Sequence, residues 1–292
     1  MLQVRLPSRR AVSCLVRAGA ASLALALSFG PLATGPVRAA GPRVVSINLC
    51  ADQLVLALAD PDQILGLSPY ARDPLRSFAA ADAARFPRLS GTAEEVMVLR
   101  PDLTLSGRFT KRATRDLLRE QGLRLVELDT VRSLDGAIRQ MREVAALLGH
   151  PDRADAAVSR IEEAVARARS AADGRPRSVL PLQRRGWVSG GDTLMTSLLA
   201  ATGLGNAGSA LSRGLGRQVS LEAIVALRPD LLLLSEASVR PEDQGSALLQ
   251  HDALRALYPP EKRIVLPELL TICGGPMLAD AVDRLADAVR AP

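Results

Sequence analysis

Apolar and polar positions fall into one pattern twice. Residues 92–107 read TAEEVMVLRPDLTLSG and residues 220–235 read SLEAIVALRPDLLLLS, the second being the first displaced by 128 positions. In each copy Thr92 or Ser220 is placed to cap a helix, its side-chain oxygen accepting from an orphan N–H. Val96 and Leu99, or Ile224 and Leu227, form the helix's apolar face. Pro101 and Pro229 end it, because the residue before proline is pushed out of the α region. Leu103-Thr104-Leu105 and Leu231-Leu232-Leu233-Leu234 then read as strands buried on both faces, as in parallel sheets. Two copies of a helix–turn–strand unit half a chain apart predict two similar α/β lobes with a cleft between them, where a small molecule binds.

The rest of the pattern alternates likewise. Strands are predicted over 43–48, 64–67, 123–128, 178–182 and 263–266, and helices over 51–58, 114–121, 193–202 and 277–290. Residues 70–90 and 183–192 read as loops. Ser133 caps a helix with Leu134, Ile138, Met141, Ala145 and Leu148 on one face, ended by Gly149. A second helix, 152–171, carries Val158, Ile161, Val165 and Ala168 on one stripe. At 1.5 Å per residue it spans about 30 Å, and its place between the copies makes it the connector. Asp173-Gly174-Arg175-Pro176 breaks it. The divisions are 1–39, a first lobe 40–150, the connecting helix 151–172 and a second lobe 173–292.

Residues 1–39 read as an export segment. Arg5, Arg9 and Arg10 precede an apolar run over 18–29, too short to span a bilayer, and Val37-Arg38-Ala39 suits cleavage after Ala39. Ser8-Arg9-Arg10 also has the look of a twin-arginine signal, and Cys14 stands ahead of the apolar run, out of place for a lipid anchor. The segment holds five arginines and no acid, so of 37 basic and 31 acidic residues the remainder keeps 32 and 31. The pI of about 10.0 therefore gives no argument for nucleic-acid binding.

Candidate chemistry lies on the β–α loops, since ligands of such lobes sit at the carboxyl ends of strands. These loops carry Asn48 and Cys50; Tyr70 and Arg72; Arg108 and Phe109; Arg184, Arg185 and Trp187; Thr271 and Cys273. Aromatics on loops suit a flat, bulky ligand and arginines an anionic one. Cys50 and Cys273 are expected as separate thiols at the cleft; the alternative is a disulfide tying one lobe to the other. The two histidines, His150 and His251, have no metal-ligand spacing and read as solvated or capping residues, so any metal arrives already chelated. No nucleophile elbow, P-loop or catalytic His/Asp set is present. The enzyme reading that survives is a secreted cysteine-dependent hydrolase using Cys50 at a helix start, without a suitably placed histidine.

Taken together, Arg43-Val44-Val45-Ser46 with Asp52-Gln53-Leu54, the two glutamate-bearing helix starts with their Arg-Pro-Asp-Leu runs, the mid-chain helix, and Gly191-Asp192-Thr193 with Leu198-Leu199 resemble the periplasmic substrate-binding proteins of ABC importers for iron complexes and cobalamin. The resemblance covers about 43–290. It implies two Rossmann-like lobes with parallel sheets joined by one long rigid helix, a monomer without a resident cofactor, and a metal-chelate ligand such as a siderophore, cobalamin or heme. It further implies that Glu94 and Glu222, one per lobe, dock on arginines of the membrane permease. The local reading of both is a carboxylate favoured by the first helical turn; Glu95, three after Thr92, fits a capping box.

Overall fold

The computed structural model describes residues 41–171, 174–235 and 244–290. The export segment, with its twin-arginine run and Cys14, lies outside them, as does Asp173 of the expected helix breaker. The first lobe is built from β1 (Val44–Ser46), α1 (Leu49–Leu58), β2 (Ile64–Gly66), a long loop with the short α2 (Ala80–Ala83), α3 (Ala93–Leu99), β3 (Leu103–Gly107), α4 (Arg112–Glu120) and β4 (Leu125–Leu128). Then α5 (Leu134–Leu148) ends on Gly149 at φ 86, and α6 (Pro151–Ala171) carries the chain onward. The second lobe has β5 (Arg177–Gln183), β6 (Trp187–Ser189), α7 (Leu194–Ala201), β7 (Leu204–Asn206), β8 (Gly216–Gln218), α8 (Leu221–Leu227), β9 (Leu231–Ser235), α9 (Asp252–Leu257), β10 (Arg263–Leu266) and α10 (Leu278–Arg290).

The lobes share one strand order. The first sheet runs β2-β1-β3-β4, all parallel. In the second, β7, β5, β9 and β10 repeat that order in parallel. The repeat also fixes register: Val44 opposes Leu103 and Val179 opposes Leu231, so the two leucines 128 apart do the same work. The Arg-Pro-Asp-Leu run explains itself here. Arg100 and Arg228 close α3 and α8 in the left-handed region, at φ 46 and 47. Two residues on, Asp102 accepts from the Arg43 backbone N–H at 2.8 Å, and Asp230 from the Ser178 backbone N–H at 2.7 Å. Each aspartate pins the start of the neighbouring central strand, and those hydrogen bonds hold both carboxyls below the usual range.

One expectation changes: the second sheet is mixed. Within the stretch 183–192 expected as loop, β6 pairs antiparallel with the end of β5 and with β8, adding a hairpin that the first lobe lacks.

Strand residues alternate between two cores, as the pleat requires. On β9, Leu231 and Leu233 face a central core while Leu232 and Leu234 face the second lobe's outer core; on β1, Val44 and Val45 divide the same way. The central core runs unbroken from the first lobe through α5, α6 and α10 into Val179, Leu198 and Leu266 of the second. Ala154, Val158, Ile161, Ala164 and Ala168 of α6 are buried in it. A continuous core across the junction resists hinge motion, because opening it would expose apolar area at about 25 cal/mol per Å².

Smaller readings are also corrected. Thr92 makes no capping bond, whereas Ser220 accepts from the Ala223 N–H at 3.4 Å. Glu95 forms no reciprocal box with Thr92; it accepts from the Ser90 N–H and hydroxyl at 2.7 and 2.6 Å. His251 does cap, accepting from Ala253 N–H. His150 is not solvated: it is 3% exposed, its Nε2 lying 2.7 Å from Gln63 Oε1 and 3.2 Å from Asp60.

Candidate functional site

The carboxyl ends of the central strands carry the candidate residues, and the first lobe holds its rim with two buried polar side chains of α1. Asn48 caps that helix, its Oδ1 accepting from the Cys50 and Ala51 N–H groups at 2.9 and 3.2 Å. One turn on, Asp52 is fully buried. Its carboxyl receives the Ser68 N–H at 3.0 Å and lies 2.5 Å from the Ser68 hydroxyl, which in turn accepts from the Tyr70 N–H. Burial pushes Asp52 up to about 7, with hydrogen bonds to Ser46 and Ser68 pulling the other way. Gln53 donates to Ser77 Oγ at 2.9 Å and accepts from Ala79 N–H at 3.0 Å. Two polar residues in an otherwise apolar helix thus clamp both halves of the loop that presents Tyr70, which is 52% exposed.

Arg72 also holds the loop that carries it. Its guanidinium donates to the Ala83 and Phe86 carbonyls at 3.3 and 2.5 Å, stapling the same loop from within. Beyond β3, Phe109 is 86% exposed, and Arg108 lies 3.8 Å from Asp129 in solvent.

The second lobe forms its rim with the added hairpin. Residues 184–186 make one tight turn with Arg185 at φ 58, and the Arg185 carbonyl accepts from Gln218 Nε2 at 2.7 Å. Trp187 opens β6, 41% exposed. Gly216 crosses behind it at φ 142, where a Cβ would stand 2.2 Å from the Val188 carbonyl and 3.1 Å from the indole nitrogen; only glycine lets β8 approach. Of the six aromatics after residue 39, Phe86 and Tyr258 are buried, while Tyr70, Phe78, Phe109 and Trp187 are left to solvent.

Cys50 and Cys273 are joined in a disulfide, with Cα atoms 5.1 Å apart. The expectation of separate thiols is overturned, because the segment after β10 returns to the first lobe. There Gly274 packs on Val131 and Ala137, closer than a side chain would allow, and this sets Cys273 beside the start of α1. Leu134 N–H donates to Ser197 Oγ at 2.9 Å and Arg132 to Asp192 at 2.5 Å, adding polar ties between the first lobe's last loop and α7. The bonded sulfur at Cys50 leaves no thiolate for the hydrolase reading. Among the described residues no group of His, Cys, Asp and Glu could hold a metal ion, and no helix is long and apolar enough to cross a membrane.

The structure therefore brings Asn48, Cys50 and Cys273 to one point, and sets Tyr70, Arg108 and Phe109 on one rim and Arg185 and Trp187 on the other. Asp52 and Gln53 were missed as positioning residues. Their trace in the sequence is the adjacent polar pair inside LCADQLVLAL. Glu94 and Glu222 are the second residues of α3 and α8, both exposed. A hydrogen bond with Ser220, then its own backbone, holds the Glu222 carboxyl below the usual range, and His251 is near enough to add to this.

Comparison with known proteins bears on this arrangement. A family model described as periplasmic binding protein matches residues 44–257. No curated protein matches by sequence. Solved structures do match. The apo periplasmic heme-binding protein RhuT from Roseiflexus sp. RS-1 is 24% identical, with TM-score 0.65 over 86% of this chain and 98% of its own. The periplasmic heme-binding protein HutB of Vibrio cholerae is 18% identical, with TM-score 0.70 over 84% and 97%. The periplasmic vitamin B12 binding protein BtuF of Vibrio cholerae is 17% identical, with TM-score 0.65 over 86% and 97%.

Proposed function

Because the chain belongs to the periplasmic binding protein family, we propose that it captures a chelated-metal ligand between its lobes and delivers it to the membrane permease of an ABC importer. The ligand class is an iron–siderophore, heme or cobalamin-like complex. One observation carries the reading: four aromatics are withheld from the cores, and three of them, Tyr70, Phe109 and Trp187, stand exposed at the carboxyl ends of the two sheets. Planar rings at such a cleft suit a macrocycle or an aromatic chelator, and Arg108 and Arg185 supply positive charge for its carboxylates or catecholates. Proteins of this fold named for heme and vitamin B12 are consistent with that class.

In this reading the protein works outside the cytoplasm after loss of residues 1–39, as a monomer, without turnover and without nucleic acid. The metal belongs to the cargo, held by its chelator, and the protein supplies shape, stacking and charge. The shared core and the disulfide keep the lobes near one spacing, so binding costs little ordering.

Titrating Trp187 fluorescence with hemin, cyanocobalamin and a ferric hydroxamate tests this. One of the three is expected to give saturable quenching, which Tyr70→Ala and Arg108→Ala weaken without lowering the melting temperature. Binding of none of them, in fluorescence or in a melt, would overturn the ligand class; equal affinity in both variants, and in Trp187→Ala by the ligand's own absorbance since no other tryptophan is present, would overturn the site.

A further inference from the structure

The fourth exposed aromatic, Phe78, stands away from the strand ends, on the long loop after β2. Its neighbours on both sides are anchored by one side chain. Gln53 Nε2 donates to the Ser77 hydroxyl at 2.9 Å, and Gln53 Oε1 accepts from the Ala79 N–H at 3.0 Å. Gln53 and Ser77 are buried, whereas Phe78, between the two anchors, is 44% exposed. The Gln53 amide also lies 3.5 Å from the Leu49 carbonyl, so it is turned back to the start of α1. At that end of the helix Cys50 meets Cys273, and β1 delivers the chain to the cleft. The anchors therefore hold Phe78 beside the cleft, on the same lobe as Tyr70. Tyr70 hangs on Asp52 through Ser68, and Phe78 on the next residue of the helix.

The local explanation for Gln53 is that it satisfies polar groups of a buried loop. That accounts for Ser77 and Ala79 but not for the ring. The loop has an inside, which takes Ala71, Ala83 and Phe86, yet it leaves Tyr70, Leu75 and Phe78 in water. It is also rigid: Asp73 accepts from the Leu75 N–H at 2.9 Å through its side chain and from the Ser77 N–H at 2.8 Å through its carbonyl. Apolar groups fixed in this way are ordered before a ligand arrives, which is what a binding surface gains from.

The second lobe provides the control. Gln53 lies five residues beyond the cap Asn48, and Leu198 lies five beyond the cap Thr193. Leu198 is fully buried in the central core. The repeated unit thus accepts an apolar residue at this position, and the amide that grips the loop is the first lobe's own addition.

We infer that Phe78 is a further ligand-contacting residue of the cleft and that Gln53 positions it. The first lobe then offers a pair of rings, Tyr70 and Phe78, which favours a ligand with a flat conjugated body over one with an aliphatic or amide-bearing surface. This rests on the cleft reading and adds the residue that sets preference within it. Aromatic rings meet other π-systems in offset or edge-to-face contact. An amide facing them would give up water without gaining a partner.

The test is titration of the full chain with hemin, cyanocobalamin and a ferric hydroxamate, followed by each ligand's own absorbance. Hemin is expected to bind most tightly. Phe78→Ala should weaken hemin about fivefold to tenfold, and Phe78→Tyr should restore most of that affinity. Whatever affinity the other two ligands show should stay within about twofold in Phe78→Ala, because their surfaces gain little from a ring. Gln53→Leu, which brings in the second lobe's residue, should weaken hemin by a similar factor and should add no further loss when Phe78→Ala is already present. A merely structural Gln53 would instead lower affinity for every ligand and in both backgrounds. Ser77→Ala, which frees one end of the amide, serves if Gln53→Leu does not fold. Binding of none of the three ligands by the wild type would overturn the cleft reading and this inference with it. Three results would overturn this inference alone: tighter binding of cyanocobalamin or the hydroxamate than of hemin, hemin affinity unchanged in Phe78→Ala, or additive losses in Gln53→Leu/Phe78→Ala.

Discussion

The two lobes are one design finished in two ways. Both place a helix after the first central strand, directly in the first lobe and beyond β6 in the second, and both cap that helix with a side chain, Asn48 in α1 and Thr193 in α7. Four residues beyond the cap they diverge. In the first lobe that position is Asp52, which grips its own lobe's loop through Ser68. In the second it is Ser197, which accepts from Leu134 N–H, on the first lobe's side. The first lobe thus stabilises a long loop internally; the second contributes to the junction and builds its rim from an extra hairpin. A repeated scaffold fixes where a rim is, and a few polar positions decide what it is made of.

The largest expected effect concerns the junction itself. The disulfide closes a loop of 223 residues, for which chain entropy gives about 5 kcal/mol as an upper figure. Cys50→Ser/Cys273→Ser should lose several kcal/mol in urea unfolding yet keep a single transition, because the central core still spans both lobes. Two separate transitions would show that the lobes cohere through the bond rather than through the core.

Asp52 should make the first lobe pH-sensitive in a way the second is not. Its folded value, about 7, is above its unfolded value of 3.8, so the native state holds a proton that the unfolded chain releases. Its contribution to stability is therefore full below about pH 4, declines as pH rises and is gone above about 7, a span on the order of 4 kcal/mol. Asp52→Asn should flatten that slope in melts across the range, while Ser197→Ala leaves it intact. A slope unchanged in Asp52→Asn would place the proton elsewhere.

Asp102→Ala and Asp230→Ala test the equivalence of the repeat. Each removes the acceptor for a backbone N–H at the start of a central strand, Arg43 just before β1 and Ser178 second in β5, so each should lower the melting temperature by a similar modest amount. Both wild-type contributions should fade as pH falls through the carboxylates' depressed range. A marked inequality would mean that the shared register hides unequal roles.

The repeat also explains what could be read from the chain alone. Residues 92–107 and 220–235 exposed two lobes because the Leu-Arg-Pro-Asp-Leu run recurs in register ahead of a leucine-rich strand, and the Ser133–Gly149 and 152–171 helices followed from period and caps. The hairpin escaped because β6 and β8 are three residues each, set among glycines and arginines with no alternation to detect. The disulfide stood only as the alternative to separate thiols because 223 residues of separation leave no local trace. Arg72 reads as a ligand residue from its type, and only the fold shows that Nε and one terminal nitrogen also donate to the Ala83 and Phe86 carbonyls. Asn48 likewise reads as a polar loop residue until the start of α1 shows it to be a cap.

The smallest effect on the fold is expected at the paired glutamates, which give the finest test of how alike the lobes are. Glu94 and Glu222 occupy the same helical position, but their surroundings differ. Thr92 makes no capping bond and Glu95 turns back to Ser90, so the start of α3 is held without Glu94. At α8, Ser220 caps the helix and also hydrogen-bonds Glu222. Reversing both charges, Glu94→Arg/Glu222→Arg, should therefore leave α3 nearly unaffected and loosen α8 slightly, so that the Glu222→Arg single variant melts lower than Glu94→Arg. Neither side chain is needed to hold a cleft loop, so affinity for the ligand should be retained. If the two glutamates are the permease contacts, uptake by cells and binding to the membrane subunits should fall sharply in the double variant. Loss of charge complementarity slows encounter and mispairs like charges at the rim, and raising salt should weaken the wild-type association in the same direction. Normal uptake by a variant that also melts normally would leave these two matched carboxylates without a docking role.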